Sequence, residues 1–201
     1  MKISVVGMGY VGCVTGAALS RRGNDVIGID VNGQKVGAIN RGDAPILEKG
    51  LSELIADRVR DGKLRATTNG AEAVEETELS LICVGTPARK NGSFDYSHLL
   101  SAVREVGEGI KRKHGHHVVA IRSTLLPGTT EHMVIPELEK SPGKKAARTS
   151  LCTSIRSSLG KVQRCTISTT SLLSLSAAVK IRTGAYWQKS MRAPVRYFTL
   201  A

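Results

Sequence analysis

Apolar residues in the first 140 positions follow two alternating patterns. Short continuous runs appear at Ile3-Ser4-Val5-Val6, Val26-Ile27-Gly28-Ile29, Leu79-Ser80-Leu81-Ile82-Cys83-Val84 and Val118-Val119-Ala120-Ile121. Runs this short and this rich in β-branched residues predict strands buried on both faces. Between them the spacing changes to three and four. Leu51, Leu54, Ile55 and Val59 share one face, as do Leu99, Leu100, Val103, Val106 and Ile110. These predict helices over 51–60 and 97–113. Shorter helices are expected up to Arg21 with Gly23 just past the end, over 32–40 capped by Asn32, from Thr68 or Asn69 to Val74, and near 130–139. Strands are expected at 2–6, 26–30, 64–67, 79–84 and 117–122. Strand and helix alternate throughout, which predicts an α/β fold: a doubly wound, Rossmann-like parallel sheet of five strands.

The turn after the first strand carries the chemistry. It reads Gly7-x-Gly9-x-x-Gly12 and opens directly into a helical stretch. Gly7 permits a tight turn, Gly9 lets a pyrophosphate approach the backbone, and Gly12 lets helix and strand pack closely. The helix N-terminus adds unpaired N–H groups and positive dipole. Asp30 ends the second strand, where an acid takes the adenosine ribose hydroxyls and favours NAD over NADP. Lys35 lies near Asp30 and suits a phosphate or ribose, or serves as a solvated helix lysine. The competing reading is a signal peptide built on Lys2, an apolar run and Ala17-Ala18-Leu19-Ser20. Four glycines within that run and the spacing to Asp30 oppose it.

Composition changes the picture in one place. The net charge of +12 invites a nucleic-acid reading, but residues 141–201 hold eleven Lys and Arg and no Asp or Glu, which leaves +1 for 1–140. The chain therefore divides into 1–146, a dinucleotide-binding domain, and 147–201, a basic, acid-free tail expected to be poorly structured. No apolar stretch is long enough to predict a membrane span. Cys13, Cys83, Cys152 and Cys165 show no metal-ligand spacing and read as reduced thiols of a cytoplasmic protein. His114, His116 and His117 lack a matching carboxylate or cysteine, so no metal site is expected. Gly85-Thr86-Pro87 and Ser123-Thr124 sit at strand carboxyl ends, where open α/β sheets bind ligands.

Several of these pieces together resemble the UDP-glucose/GDP-mannose dehydrogenase family, in its N-terminal NAD-binding domain. The matching residues are Gly7-Met8-Gly9-Tyr10-Val11-Gly12, Ile27-Gly28-Ile29-Asp30, Asn40-Arg41-Gly42 with Pro45-Ile46 and Glu48, Ile82-Cys83-Val84-Gly85-Thr86-Pro87, and Arg122 through Thr129. The resemblance covers about 1–146, departs at Lys49, and is closer to GDP-mannose than to UDP-glucose enzymes. It implies NAD as cofactor, a nucleotide sugar as substrate, a homodimer, and oxidation of the sugar C6 alcohol to a carboxylate through an aldehyde and a cysteine thioester. It implies a cofactor-binding turn of Gly7, Gly9, Tyr10, Val11 and Gly12, with backbone contacts from Gly9, Tyr10 and Val11 to the pyrophosphate. Asp30 and Lys35 would hold the adenosine end, with Thr86 near the nicotinamide and Thr124 near both cofactor and reacting centre. For Thr86 and Thr124, capping of the following turn is the alternative.

The resemblance also marks what this chain lacks. The family's Cys-Phe-Pro-Lys-Asp and Asn-Pro-Glu-Phe-Leu motifs do not occur, and neither Cys152 nor Cys165 lies in a matching context. Codons exist for which Ile155 through Ser168, read two bases in, spell Ser-Glu-Phe-Leu-Arg-Glu-Gly-Ser-Ala-Val-His-Asp-Phe, the family's glutamate motif and its continuation. The expectation is a truncated dehydrogenase whose tail is read out of frame and which lacks catalysis. The rival is a non-catalytic NAD-binding module with a basic nucleic-acid-binding arm. A different short-chain enzyme lacks support, because Tyr186 and Lys189 are one residue short of a Tyr-x-x-x-Lys pair.

Overall fold

A computed structural model describes residues 1–113 and 116–140, and the backbone of 148–153 and 195–199. In chain order the elements are β1 (Lys2–Val6), α1 (Tyr10–Arg21), β2 (Asp25–Ile29), α2 (Gly33–Asn40), α3 (Leu51–Arg60), β3 (Leu64–Thr67), α4 (Gly70–Glu76), β4 (Leu79–Ile82), α5 (Ser97–Arg112) and β5 (His116–Ile121). A π-helical turn, Thr130–Val134, runs into α6 (Ile135–Lys140), and β6 (Arg148–Thr153) and β7 (Val195–Thr199) follow.

All strands pair in parallel, in the order β3-β2-β1-β4-β5-β6-β7. The five expected strands form the first five positions. Two further strands, not read from the sequence, lie within 147–201 at the outer edge of the sheet. β6 pairs with β5 from His116↔Arg148 to Ile121↔Thr153, and β7 pairs with β6. The physical reason is local: Val195, Tyr197, Phe198 and Thr199 are strand formers, and β5 would otherwise present a bare edge. A short helix, which Leu172, Leu173, Ala177, Ala178 and Val179 would suggest, falls outside the described residues.

Side chains alternate between two cores, as the pleat requires. Ile3, Val5 and Val26 face one side with Cys13, Ala17, Ile39 and Ile55 of α1, α2 and α3. Val6, Ile27, Ile29 and Ile82 face the other, with Val74 of α4, Leu99, Val103, Val106 and Ile110 of α5, and Leu138 of α6. Covering both faces explains why the strand runs are apolar at every position. The caps act as the sequence implies. Asn32 accepts from the N–H groups of Gln34 and Lys35, Asn69 accepts from that of Glu72, and Gly23 turns the chain after α1 at φ +85°.

One feature of the sheet was not read from the sequence. Ser4, Thr77, Ser80 and His117 are fully buried polar residues. A buried hydroxyl left unpaired costs about 1–3 kcal/mol, so each needs a partner. The Oγ atoms of Ser4 and Ser80 are 2.7 Å apart, the Thr77 hydroxyl donates to Ser4 Oγ at 3.2 Å, and Ser80 Oγ meets His117 Nε2 at 2.8 Å. His117 Nδ1 lies 3.1 Å from the Thr77 carbonyl and 3.2 Å from Lys113 Nζ. Lys113 itself donates to the Thr77 and Val74 carbonyls at the end of α4. Burial, reinforced by the Lys113 ammonium, pushes the His117 imidazole down to about 3, so it stays neutral; the Thr77 carbonyl opposes this weakly.

The sign of the resulting pH dependence follows. The unfolded chain takes up a proton on this histidine below its ordinary 6.5, whereas the folded chain does not until about 3. Stability therefore falls as pH drops below 6.5. Between pH 7.5 and 5 the expected loss is on the order of 2 kcal/mol, before carboxylates begin to titrate. Urea unfolding at the two pH values measures it. A His117→Gln variant should flatten the slope, and an equally steep slope in that variant would place the effect elsewhere.

Candidate functional site

The glycine turn is built by two close approaches. Gly7 sits at φ +93°, donates its N–H to the Ile29 carbonyl at 2.8 Å, and presses against Val84 across the sheet. At Gly12 a Cβ would lie 1.9 Å from the Gly7 carbonyl oxygen. That distance is impossible for a side chain, so position 12 must be glycine for α1 to start where it does.

Gly9 is different. It caps α1 at φ −82°, ψ −163°, a conformation open to any residue, and a Cβ there would meet nothing within 4 Å. Nothing inside the chain requires glycine at this position. The space it leaves is outside the backbone, in front of the first turn of α1. No side chain caps that turn and it contains no acid. Tyr10 and Val11 stand exposed beside it. The arrangement fits an anionic group approaching the backbone N–H groups.

Asp30 lies just past the last ladder position of β2. Its Oδ2 accepts the Met8 N–H and its Oδ1 the Asn32 N–H, both at 2.9 Å. Lys35 Nζ is 3.5 Å from Oδ2, and the Asp30 side chain is only 9% exposed. The carboxylate thus ties the glycine turn to the start of α2. With about four lone-pair sites it can still accept from two neighbouring hydroxyls. Gly7, Gly9, Asp30 and Lys35 line one cleft of about 240 Å³, with Val31, Cys83, Val84 and Gly85. Thr86 and Thr124 meet further along the carboxyl edge, where the Thr86 hydroxyl donates to the Thr124 carbonyl at 3.0 Å and Ser123 Oγ donates to the Val84 carbonyl at 2.6 Å. The Thr86 hydroxyl therefore joins the two strand ends through the Thr124 backbone carbonyl, rather than capping the turn that follows it.

One contact and one helix face escaped the sequence reading. The Tyr10 hydroxyl donates to Glu48 Oε2 at 2.7 Å, which raises its pKa and draws the loop before α3 over the glycine turn. His98, Ser101 and Glu105 of α5 form a second wall of the cleft. The only available signal was their helical spacing, which reads equally well as a solvated face. The two described cysteines are poor nucleophiles. Burial pushes the Cys13 thiol up to about 11 and the Cys83 thiol up to about 12, against smaller opposing effects of Lys35 and Arg122.

A parallel sheet in this order, with a glycine turn, an acid closing β2 and a cleft at the carboxyl edge, defines a dinucleotide-binding domain. Residues 1–156 match the UDP-glucose/GDP-mannose dehydrogenase family, NAD binding domain, and the chain belongs to that family. NAD is its cofactor. The chain is 49% identical over 146 residues to GDP-mannose 6-dehydrogenase of Pseudomonas syringae pv. tomato, covering 73% of this chain and 33% of that protein. It is 36% identical over 145 residues to UDP-glucose 6-dehydrogenase of Haloferax volcanii, covering 72% and 33%. The chain thus spans about a third of the length of these relatives. Among solved structures, GDP-mannose dehydrogenase from Pseudomonas aeruginosa superposes with a TM-score of 0.77 at 34% identity, over 99% of this chain and 46% of that one. UDP-glucose dehydrogenase from Pyrobaculum islandicum gives 0.76 at 27%, over 98% and 46%.

The second and third glycines of the motif separate fold from binding. Gly9→Ala should melt within about 1 kcal/mol of the wild type, because its Cβ meets nothing, yet lose most NAD affinity in a calorimetric titration. Gly12→Ala should lose several kcal/mol and fail to fold stably. Tight NAD binding by a folded Gly9→Ala variant would show that the open space is not the pyrophosphate site.

Proposed function

We propose that this chain is the cofactor-binding part of a nucleotide-sugar 6-dehydrogenase, of the kind that oxidises the C6 alcohol of GDP-mannose to the uronate. The observation that carries the reading is Gly9, a glycine with no structural need to be one, facing the acid-free start of α1 beside Asp30. The subtype is supported by the higher identity to GDP-mannose 6-dehydrogenases than to the UDP-glucose enzyme. Bound NAD supplies hydride acceptance. The chain's own residues do the positioning. The α1 backbone at Gly9, Tyr10 and Val11 takes the pyrophosphate, Asp30 accepts from the adenosine ribose, and Lys35 balances the charge at that end. Thr86 and Thr124 stand at the nicotinamide end, with Thr124 beside the reacting centre.

This part has no described nucleophile for the second oxidation. A thiolate must attack the aldehyde, and Cys13 and Cys83 are buried with their thiols held far above neutral pH. We therefore assign to this chain NAD binding without turnover, in the cytoplasm, and read residues 147–201 as an out-of-frame continuation.

Purified chain should bind NAD several-fold more tightly than NADP, since a 2′-phosphate would crowd the Asp30 carboxylate, and Asp30→Ala should erase that preference. Incubated with NAD and GDP-mannose it should give no rise in absorbance at 340 nm. Steady NADH production would overturn the assignment of inactivity. The coding DNA beyond codon 140, read in the alternate frame, should run on into a Cys-Phe-Pro-Lys-Asp segment; an early stop there would make the basic tail genuine.

A further inference from the structure

The cleft has one wall that the glycine turn does not supply. His98, Ser101, Ala102 and Glu105 line it from α5, at spacings of three, four and seven that place them on one helix face. Asp30 and Val31 line it from the end of β2. Val31 is apolar yet 94% exposed, whereas Ala102 is buried in the core beneath α5. A slot with small apolar surfaces and a polar edge suits a flat heteroaromatic ring.

Glu105 is held in place. Its Oε1 accepts the Gly70 N–H at 2.8 Å. A Cβ at position 70 would lie 2.3 Å from the Glu105 carboxyl carbon, so the glycine makes room for this carboxylate. One oxygen is committed to α4 and the other is left to accept. Ser101 and His98 on the same face carry donors. An acceptor next to donors complements adenine, whose amine donates beside an accepting ring nitrogen. A keto purine offers the reverse order.

We propose that α5 reads the adenine base, with Glu105 accepting from the exocyclic amine as a specificity-determining residue. The proposal rests on the dinucleotide reading of this cleft, with the pyrophosphate at Gly9 and the ribose at Asp30. Glu105 then selects the amino purine over its keto analogue, because an acceptor facing a carbonyl oxygen loses a hydrogen bond and gains repulsion.

The test titrates the full chain with NAD and with nicotinamide hypoxanthine dinucleotide, which carries a keto oxygen for the amine and a proton on the neighbouring ring nitrogen. Wild type should favour NAD by about tenfold. In Glu105→Gln the amide oxygen can keep the Gly70 contact, which turns the amide N–H₂ toward the base. The preference should then fall to near unity or reverse. Equal binding by wild type overturns the proposal, as does a tenfold preference that survives in Glu105→Gln. Should that variant not fold, the wild-type ratio alone decides. If neither dinucleotide binds, the dinucleotide reading fails and takes this proposal with it; NAD binding without base preference removes only the role of α5.

Discussion

A missing side chain governs this structure. Helix α1 starts against the end of β1 so closely that a methyl group at position 12 would overlap the Gly7 carbonyl oxygen. That approach aims the first turn of the helix across the carboxyl edge of the central strand. Everything placed by that turn depends on it: the exposed start of α1, the Met8 N–H that Asp30 accepts, and through Asp30 the start of α2. Packing energy cannot substitute for the contact, because the forbidden distance is a hard-sphere limit rather than a matter of degree.

Polar groups are used in two distinct ways around this frame. At the amino end of the sheet, Ser4, Ser80, Thr77 and His117 satisfy one another in a dry interior, and charge is excluded from the imidazole. At the carboxyl end, Asp30, Lys35 and Glu105 border an open cleft. Asp30 accepts a backbone N–H on each oxygen and Glu105 on one, so both carboxylates are oriented before any ligand arrives. Orientation in advance is what lets a small cleft bind with little entropic cost.

The parts that were legible in the sequence are the parts written locally. Strand runs, cap residues, the three glycines and Asp30 each carry their signal within a few positions, and all five expected strands stand where the pattern put them. The buried network was illegible because Ser4, Ser80 and His117 lie up to 113 positions apart and each resembles an ordinary strand residue. The pairing of Gly70 with Glu105 and of Tyr10 with Glu48 was hidden for the same reason: nothing in either member announces its partner. The α5 wall was hidden differently, since a polar helix stripe has the same spacing whether it faces water or a ligand. β6 and β7 were missed because composition was weighed over the whole tail, while five or six strand-forming residues suffice to extend an existing edge.

The strand order carries a consequence for synthesis. β1 is the first strand made and sits in the sheet between β2 and β4. Its pairing with β4 joins Ile3 to Leu79. At roughly 5–20 residues per second, a ribosome needs about 4–15 s to make the intervening chain. During that interval the edge of β1 from Ile3 to Val6 lacks its partner strand. The nascent chain therefore emerges with an interior strand exposed along one edge, and protection of that strand in the cell depends on the speed of translation and on chaperones rather than on the finished fold.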